Sequence, residues 1–262
     1  MVYQKKKDMR GQTLSARGIR CFLVVRDMEI ITRVPKICVS FKKAQVNNMK
    51  YQLVIFDLDG TLLDTLEDLA DSDNYIMKQF GHPERTLKEV RCFVGNGIRK
   101  LIERSAPKDT PAEEIDRMLE AFKEYYGAHC ADKTKPYEGI MDLLDKLPKQ
   151  GVKLAVVSNK ADYAVKALCE QYFPGCFDEA VGERAGIARK PAPDTVNEVL
   201  KNLQVDKSQA VYIGDSEVDV QTARNAEMDC IAVEWGFRDK DVLEKAGAEI
   251  MVSTQAELLK YM

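Results

Sequence analysis

Two aspartates two residues apart follow a short apolar run and lead into a Gly-Thr turn. They are Asp57 and Asp59, and the apolar run before them spans residues 53–55. Side chains at positions i and i+2 of an extended chain point the same way, so the carboxylates converge if the chain is still extended there. If the chain already turns, one residue offers its side chain and the other its backbone carbonyl. Neighbouring carboxylates repel each other unless a cation or a proton lies between them, so the pair favours a Mg²⁺ site.

Polar residues also follow, or lie close behind, other apolar runs of the chain. In chain order they are Ser158, Asn159, Lys190, Asp215 and Asp219. Taken singly, each has an ordinary explanation as a helix cap, a turn residue or a solvated surface charge. The carboxyl ends of parallel strands meet at one edge of a sheet. Together with Asp57 and Asp59, these residues are therefore expected to converge at that edge.

The elements that must position these residues alternate between short apolar strands and amphipathic helices. Strands are predicted at residues 52–57, 153–157, 177–181, 210–213, 230–233 and 249–252. Strands alternating with helices are typical of a mostly parallel sheet that is covered on both faces. Residues 66–135 show helical periodicity alone. The sequence therefore predicts an α/β protein with a doubly wound sheet and a helical insert after the first strand.

Composition narrows the class of protein. The chain has 262 residues, of which 45% are hydrophobic, and no apolar run approaches the roughly 18–20 residues of a membrane span. Its seven cysteines are scattered without a C-x-x-C pair, which predicts reduced thiols in a cytoplasmic protein. With two histidines in the whole chain, a zinc hydrolase or a histidine-based triad is disfavoured.

The first 49 residues differ in charge from the rest of the chain. They hold eleven Lys and Arg against three Asp and Glu, a net charge of +8, whereas the remainder has a net charge of −11. Such a segment is compatible with nucleic-acid or membrane binding or with a transit peptide, but these interpretations depend on charge alone. We predict a poorly ordered extension before a natural start near Met49. Neither a nucleic acid nor a membrane is expected as a partner.

The combined motifs resemble the haloacid dehalogenase (HAD) superfamily, and the resemblance covers about residues 50–262. The matching motifs are Asp57-Leu58-Asp59-Gly60-Thr61, Ser158-Asn159, Lys190 and Gly214-Asp215-Ser216-Glu217-Val218-Asp219. The chain is most similar to the branch of phosphoglycolate-phosphatase-like proteins. Three further segments carry that similarity, namely Val94-Gly95-Asn96-Gly97, Ser158-Asn159-Lys160 and Trp235-Gly236.

The resemblance implies a fold and a role for each matching residue. A Rossmann-like core would comprise residues 50–65 and 137–262, and an inserted C1-type helical cap would comprise residues 66–136. The implied catalytic residues are Asp57, Asp59, Ser158 and Lys190. The implied metal-binding residues are Asp57, Asp59, Asp215 and Asp219, with Asp219 in or near the outer shell or paired with Lys190. The implied substrate-binding residues are Gly60, Thr61 and Asn159 in the core and Gly95, Asn96 and Gly97 in the cap.

In this family scheme Asp57 attacks phosphorus and forms an aspartyl-phosphate, and Asp59 protonates the leaving alcohol and then deprotonates water. The ordinarily low pKa of an aspartate is expected to keep Asp57 ionised at neutral pH.

The implied activity is hydrolysis of a small phosphate monoester with Mg²⁺, with 2-phosphoglycolate as the leading candidate substrate. The alternatives on the same core are a sugar-phosphate mutase similar to β-phosphoglucomutase, a pyrophosphatase and a nucleotidase. A dehalogenase is disfavoured because its chemistry has no leaving alcohol and no need for Asp59 or Mg²⁺. A non-enzymatic binder of phospho-ligands would be favoured by the loss of a motif, and none is lost. Both a monomer and a homodimer are compatible with the sequence.

Overall fold

Six parallel strands form the central sheet of the computed structural model, which describes residues 49–262. In chain order the strands of the protein are β1 (Leu53–Phe56), β2 (Leu63–Asp64), β3 (Lys135–Pro136), β4 (Lys153–Ala161), β5 (Glu179–Glu183), β6 (Ala210–Gly214), β7 (Asp229–Val233) and β8 (Met251–Val252). The sheet has the order β5-β4-β1-β6-β7-β8, and β2 and β3 form a separate antiparallel pair. The predicted α/β class with a doubly wound sheet is confirmed. Apart from Met49, the predicted N-terminal extension lies outside the described residues.

Helices precede or follow nearly every strand of the sheet. They are α1 (Leu66–Gln79), α2 (Leu87–Phe93), α3 (Ile98–Ser105), α4 (Ala112–His129), α5 (Ile140–Lys149), α6 (Asp162–Tyr172), α7 (Asp194–Leu203), α8 (Glu217–Asn225), α9 (Lys240–Ala246) and α10 (Gln255–Leu258). Within residues 49–262, none of them is long and apolar enough to cross a membrane.

The predicted strand bounds agree with the structure to within two residues, apart from two differences. Strand β4 was expected to end at residue 157 but continues to Ala161, because after an irregularity its end pairs with Glu183 of β5. The pair β2–β3 was not predicted, since strands of two residues are too short to show a periodic pattern.

Strand β1 is buried on both faces of the sheet. Val54 and Phe56 belong to one hydrophobic cluster, and Leu53 and Ile55 belong to a second. Because alternate side chains of a strand point to opposite faces, the uninterrupted apolar run of β1 is explained by helices on both sides. The strand therefore holds the residue that follows it, Asp57, at a rigid edge of the sheet.

Helices α1 to α4, which we call the helical layer, enclose a third hydrophobic cluster. Its fully buried members include Ile76, Met118 and Phe122. Helix α2 begins with a capping box, in which the hydroxyl of Thr86 and the carboxylate of Glu89 each accept a backbone N–H of the other residue. The helical layer thus has its own apolar interior, whereas the exact boundaries of core and cap stay predictions.

Asp73 lies inside the helical layer and is 0% exposed. Neither of its carboxylate oxygens has a hydrogen-bond partner of good geometry among the described residues. Burial raises the pKa of Asp73 to about 6, although the Ser105 hydroxyl and the Arg85 guanidinium oppose the shift. An aspartate in an unfolded chain has a pKa near 3.9. The folded protein is therefore progressively destabilised by this carboxyl as the pH rises from about 4 to about 6.

We expect the substitution Asp73→Asn to raise the free energy of unfolding at pH 8 by about 2 kcal/mol, because it removes a buried charge. The gain should shrink to about 0.5 kcal/mol near pH 4, where the carboxyl is neutral in the folded state and about half ionised in the unfolded chain. Chemical unfolding of the variant and the parent at both pH values measures the difference. Asp71→Asn, at an exposed position of the same helix, is the control and should change stability by less than about 0.5 kcal/mol. A loss of stability in Asp73→Asn at pH 8 would contradict the prediction.

Candidate active site

The predicted residues lie at the carboxyl edge of the sheet, next to β1. The chain crosses the sheet in both directions from β1, towards β4 and β5 on one side and towards β6, β7 and β8 on the other. Open α/β sheets bind ligands at such a reversal of strand order. Three carboxylates meet there: in Asp57, Asp215 and Asp219, one oxygen of each lies within 4.8 Å of the others.

Lys190 is the cation that faces this carboxylate cluster. Its Nζ lies 3.0 Å from Oδ1 of Asp57 and 2.7 Å from Oδ1 of Asp219, and its side chain is 2% exposed. It also donates to the Tyr212 hydroxyl at 3.0 Å. Burial alone would lower the pKa of Lys190, but the two carboxylates outweigh burial and raise the pKa well above its usual value. Lys190 is therefore a fixed positive charge.

The charges of Asp57 and Asp215 are not fully compensated by the protein. Burial raises the pKa of Asp57 to about 7, against the opposing effect of Lys190 and with a further contribution from Asp219. Burial and the same neighbour, Asp219, raise the pKa of Asp215 to about 8. The expectation that Asp57 is fully ionised by the ordinary pKa of an aspartate is therefore wrong for the protein by itself. A bound cation would favour both ionised forms.

Asp215 is held in place from several sides. Its Oδ1 accepts from the Thr61 hydroxyl at 3.1 Å, and its Oδ2 accepts from the backbone N–H of Phe237 at 2.7 Å. Gly60 has φ +85°, and a Cβ at this position would lie 2.3 Å from Oδ2 of Asp215. Glycine is therefore required at residue 60, where the turn and the carboxylate pack together. A Cβ at Gly236 would likewise clash with the side chain of Asp215.

Asp219 differs from the other two carboxylates because it binds Lys190 through one oxygen and caps a helix through the other. Oδ1 accepts from Lys190, and Oδ2 accepts from the backbone N–H of Ser216 at 3.1 Å and from its hydroxyl at 2.6 Å. These bonds include the capping box at the start of α8. They orient Asp219 towards Lys190.

The side chain of Asp59 lies outside the carboxylate cluster. Its carboxylate accepts from the Thr65 hydroxyl at 2.8 Å and from Nζ of Lys160 at 2.9 and 3.1 Å. The backbone has already left the strand at this point, because Asp59 forms an isolated bridge with Leu63. The sequence allowed either an extended or a turning chain at Asp57 and Asp59, and in the structure the chain already turns at Asp59.

Ser158 and Asn159 are both buried and line a cavity above the sheet edge, together with Asp57, Asp59 and Asp215. The amide of Asn159 donates to the backbone carbonyl of Lys190 at 3.1 Å and to that of Gly95 at 3.2 Å. Asn159 thus ties the segment that carries Lys190 to the loop between α2 and α3.

Two of the three predicted residues in that loop line the same cavity. Gly95 and Gly97 are among the lining residues. Asn96 is not, and its Oδ1 accepts from the Arg104 guanidinium at 2.7 Å. The apolar side chains of the helical layer that line the cavity are Leu69, Val94, Ile98 and Leu101.

The lining residues that were given no role by sequence reasoning include Lys160, Tyr126 and Arg238. Lys160 was noted within the Ser-Asn-Lys segment, but nothing in the sequence showed that its ammonium is buried beside Asp59. Tyr126 lies on α4 and accepts from that ammonium at 2.6 Å. Arg238 donates to the carboxylate of Glu217 and to the carbonyls of Arg91 and Val94. A residue that holds a loop through carbonyl groups leaves no signal in the sequence.

A sequence model of the family described as haloacid dehalogenase-like hydrolase matches residues 54–233. A protein of Caulobacter vibrioides named phosphoglycolate phosphatase is 35% identical over 213 residues, which are 79% of this chain and 89% of that protein. The crystal structure of a candidate phosphoglycolate phosphatase of Lactobacillus delbrueckii subsp. bulgaricus has a TM-score of 0.76 and 46% identity. It covers 80% of this chain and 97% of its own. CbbY of Rhodobacter sphaeroides, in complex with phosphate, has a TM-score of 0.62 and 26% identity, over 79% of this chain and 96% of its own.

Proposed function

The chain belongs to the haloacid dehalogenase-like hydrolases, and from this premise we propose that it is a Mg²⁺-dependent phosphatase for small phosphate monoesters. The observation that carries the proposal is a cluster of three carboxylates at the sheet edge, two of which pair with Lys190. Relatives named phosphoglycolate phosphatase, which match over most of their length, support phosphoric monoester hydrolysis.

The donor set fits a divalent metal ion. Asp57 and Asp215 are buried next to each other, their pKa values are raised, and each oxygen is a hard ligand of the kind that Mg²⁺ prefers. We assign these two side chains and the backbone carbonyl of Asp59 to the metal. Asp219 is assigned to the lysine, because one of its oxygens binds Lys190, the other caps α8, and Asp219 does not line the cavity as Asp57 and Asp215 do. When bound, Mg²⁺ would neutralise the carboxylates and polarise a phosphoryl oxygen.

Asp57 is the nucleophile in this proposal. A bond forms between its free carboxylate oxygen and phosphorus while the bond from phosphorus to the leaving oxygen breaks. Asp59 gives its proton to the leaving oxygen, and the alcohol departs. In the second step Asp59 takes a proton from water as the water attacks the aspartyl-phosphate, which frees Asp57 and inorganic phosphate.

The remaining residues hold the phosphoryl group. Lys190 compensates negative charge on its oxygens, and the Ser158 hydroxyl donates to one of them. Gly60 and Thr61 shape the turn beside the phosphoryl group: their backbone N–H groups donate to the carbonyls of Leu63 and Leu58 at 2.8 and 3.4 Å, and the glycine allows close approach. Asn159 acts through its bond to the Lys190 carbonyl, which fixes the approach of the lysine segment.

The helical layer is proposed as a cap over the substrate. Its apolar side chains close the cavity and would exclude water during the first step. Among the described residues, the cations that line the cavity are Lys160 and Arg238, and both are paired with carboxylates, those of Asp59 and Glu217. The choice of 2-phosphoglycolate as the leading candidate substrate is supported by the relatives named phosphoglycolate phosphatase.

We expect the purified protein to hydrolyse para-nitrophenyl phosphate with Mg²⁺ and to lose at least about 100-fold in rate with EDTA. Added Mg²⁺ should restore the rate and also raise the melting temperature, since it relieves repulsion between Asp57 and Asp215. A panel of phosphate esters then ranks the substrates by kcat/KM, with 2-phosphoglycolate expected first. Full activity in EDTA would contradict the metal proposal, and a higher kcat/KM for a sugar phosphate would contradict the choice of substrate.

A further inference from the structure

The Lys160 ammonium is buried between the core and the helical layer. Its side chain is 3% exposed, and its Nζ lies 2.9 Å from Oδ1 of Asp59. On the opposite element, the hydroxyl of Tyr126 accepts from the same nitrogen at 2.6 Å, and Nζ lies 4.7 Å from the centre of the tyrosine ring. A lysine this deeply buried costs free energy unless charged and polar partners surround it, and here both partners line the cavity.

The contacts of Lys160 restrict where the Asp59 carboxylate can lie. Nζ reaches both carboxylate oxygens, while the Thr65 hydroxyl donates to Oδ1. A carboxylate held from two directions has little rotational freedom. Proton transfer requires the donor oxygen within hydrogen-bond reach of the leaving oxygen, so a fixed orientation has a direct effect on the rate.

Tyr126 fixes Lys160 from the side of the helical layer. It is 2% exposed and lies on α4. The centre of its ring lies 5.3 Å from the centre of the Phe122 ring in the apolar interior. The three residues come from three different elements: the turn after β1, the end of β4, and α4. The position of the helical layer is therefore linked to the orientation of Asp59 through two short contacts.

We propose that Lys160 is a positioning residue for proton transfer by Asp59, and that Tyr126 holds Lys160 in that position from the helical layer. The inference rests on the proposed phosphatase function. In the first step the proton passes from the Asp59 carboxyl to the leaving oxygen as the bond between phosphorus and oxygen breaks. Lys160 neither gives nor takes a proton in this scheme.

A comparison of two aryl phosphates tests the inference. Phenyl phosphate and para-nitrophenyl phosphate have the same charge and nearly the same shape, but phenolate is a more basic leaving group and gains more from protonation. The value of kcat/KM reports the steps up to departure of the leaving group. We expect Lys160→Met to lower kcat/KM for phenyl phosphate about 10-fold more than for para-nitrophenyl phosphate.

Two further variants complete the experiment. Tyr126→Phe keeps the packed ring and removes only the hydroxyl, so it should shift the ratio of the two kcat/KM values in the same direction by about 3-fold. If Lys160→Met does not fold, the Tyr126→Phe variant alone tests whether Lys160 positions Asp59. Lys166→Met removes another lysine that pairs with an aspartate, at an exposed position, and should leave the ratio unchanged.

An equal loss on both substrates in Lys160→Met and Tyr126→Phe would overturn the inference, because a merely structural role or a direct contact with the substrate affects both esters alike. A parent protein that hydrolyses neither ester would instead overturn the proposed function, and this inference with it.

Discussion

The substitution Asp57→Asn is expected to lower kcat by at least about 1,000-fold while the protein stays folded. An amide in place of the carboxylate cannot form the aspartyl-phosphate, so the remaining residues can only bind the ester. The variant should still be stable, because an asparagine oxygen can accept from the backbone N–H of Leu58 as Oδ1 of Asp57 does, at 2.7 Å. In EDTA above about pH 7 its melting temperature should equal or exceed that of the parent, since burial raises the pKa of Asp57 to about 7.

Rates with para-nitrophenyl phosphate and a thermal melt of the same samples measure both effects. Asp64→Asn is the matched control, since Asp64 lies seven residues further along the same segment and does not line the cavity. It should keep the rate within about 3-fold of the parent. If Asp57→Asn retained more than about a tenth of the parent rate, Asp57 would not be the nucleophile.

The positions of functional residues at strand ends could be predicted from the sequence, because the carboxyl ends of parallel strands meet at one edge of the sheet. The continuous apolar run of β1 placed Asp57 at the sheet edge, and the same reasoning brought in Lys190 and Asp215 from 133 and 158 positions away. The family assignment drew on the same residues and is confirmed by the comparison with known proteins. The roles of the individual residues stay predictions.

Features that depend on side-chain packing could not be predicted. The pKa of Asp57 depends on how completely the helices exclude water, which no local pattern shows. The pairing of Lys160 with Tyr126 joins two residues 34 positions apart, neither of which has an unusual neighbour in the sequence. The side chain of Asn96 was expected to face the substrate, whereas the structure pairs it with Arg104. A turn of this kind fixes the backbone but leaves the side-chain direction to tertiary contacts.

Loss of Lys190 is expected to have the largest effect on stability. Lys190→Met removes the cation that faces Asp57 and Asp219 at 3.0 and 2.7 Å and leaves buried carboxylates without compensation. Removing one partner of such a buried pair costs about 3–5 kcal/mol. The loss should be greatest above about pH 7 in EDTA. It should shrink as the pH falls, because the unpaired carboxylates then take up protons in the folded state.

A double-mutant cycle with Asp219→Asn separates this charge effect from the loss of packing. Once Lys190 is absent, the buried charge of Asp219 has lost its cation and destabilises the folded protein. The double variant Lys190→Met/Asp219→Asn should therefore be more stable than Lys190→Met by about 1–3 kcal/mol at pH 8. In the parent background Asp219→Asn should destabilise, because it weakens a satisfied pair. Urea unfolding of the four proteins in EDTA at pH 8 measures the coupling. Additive effects would show that Lys190 stabilises the edge of the sheet by packing alone, and the charge balance assigned to this site would then be wrong.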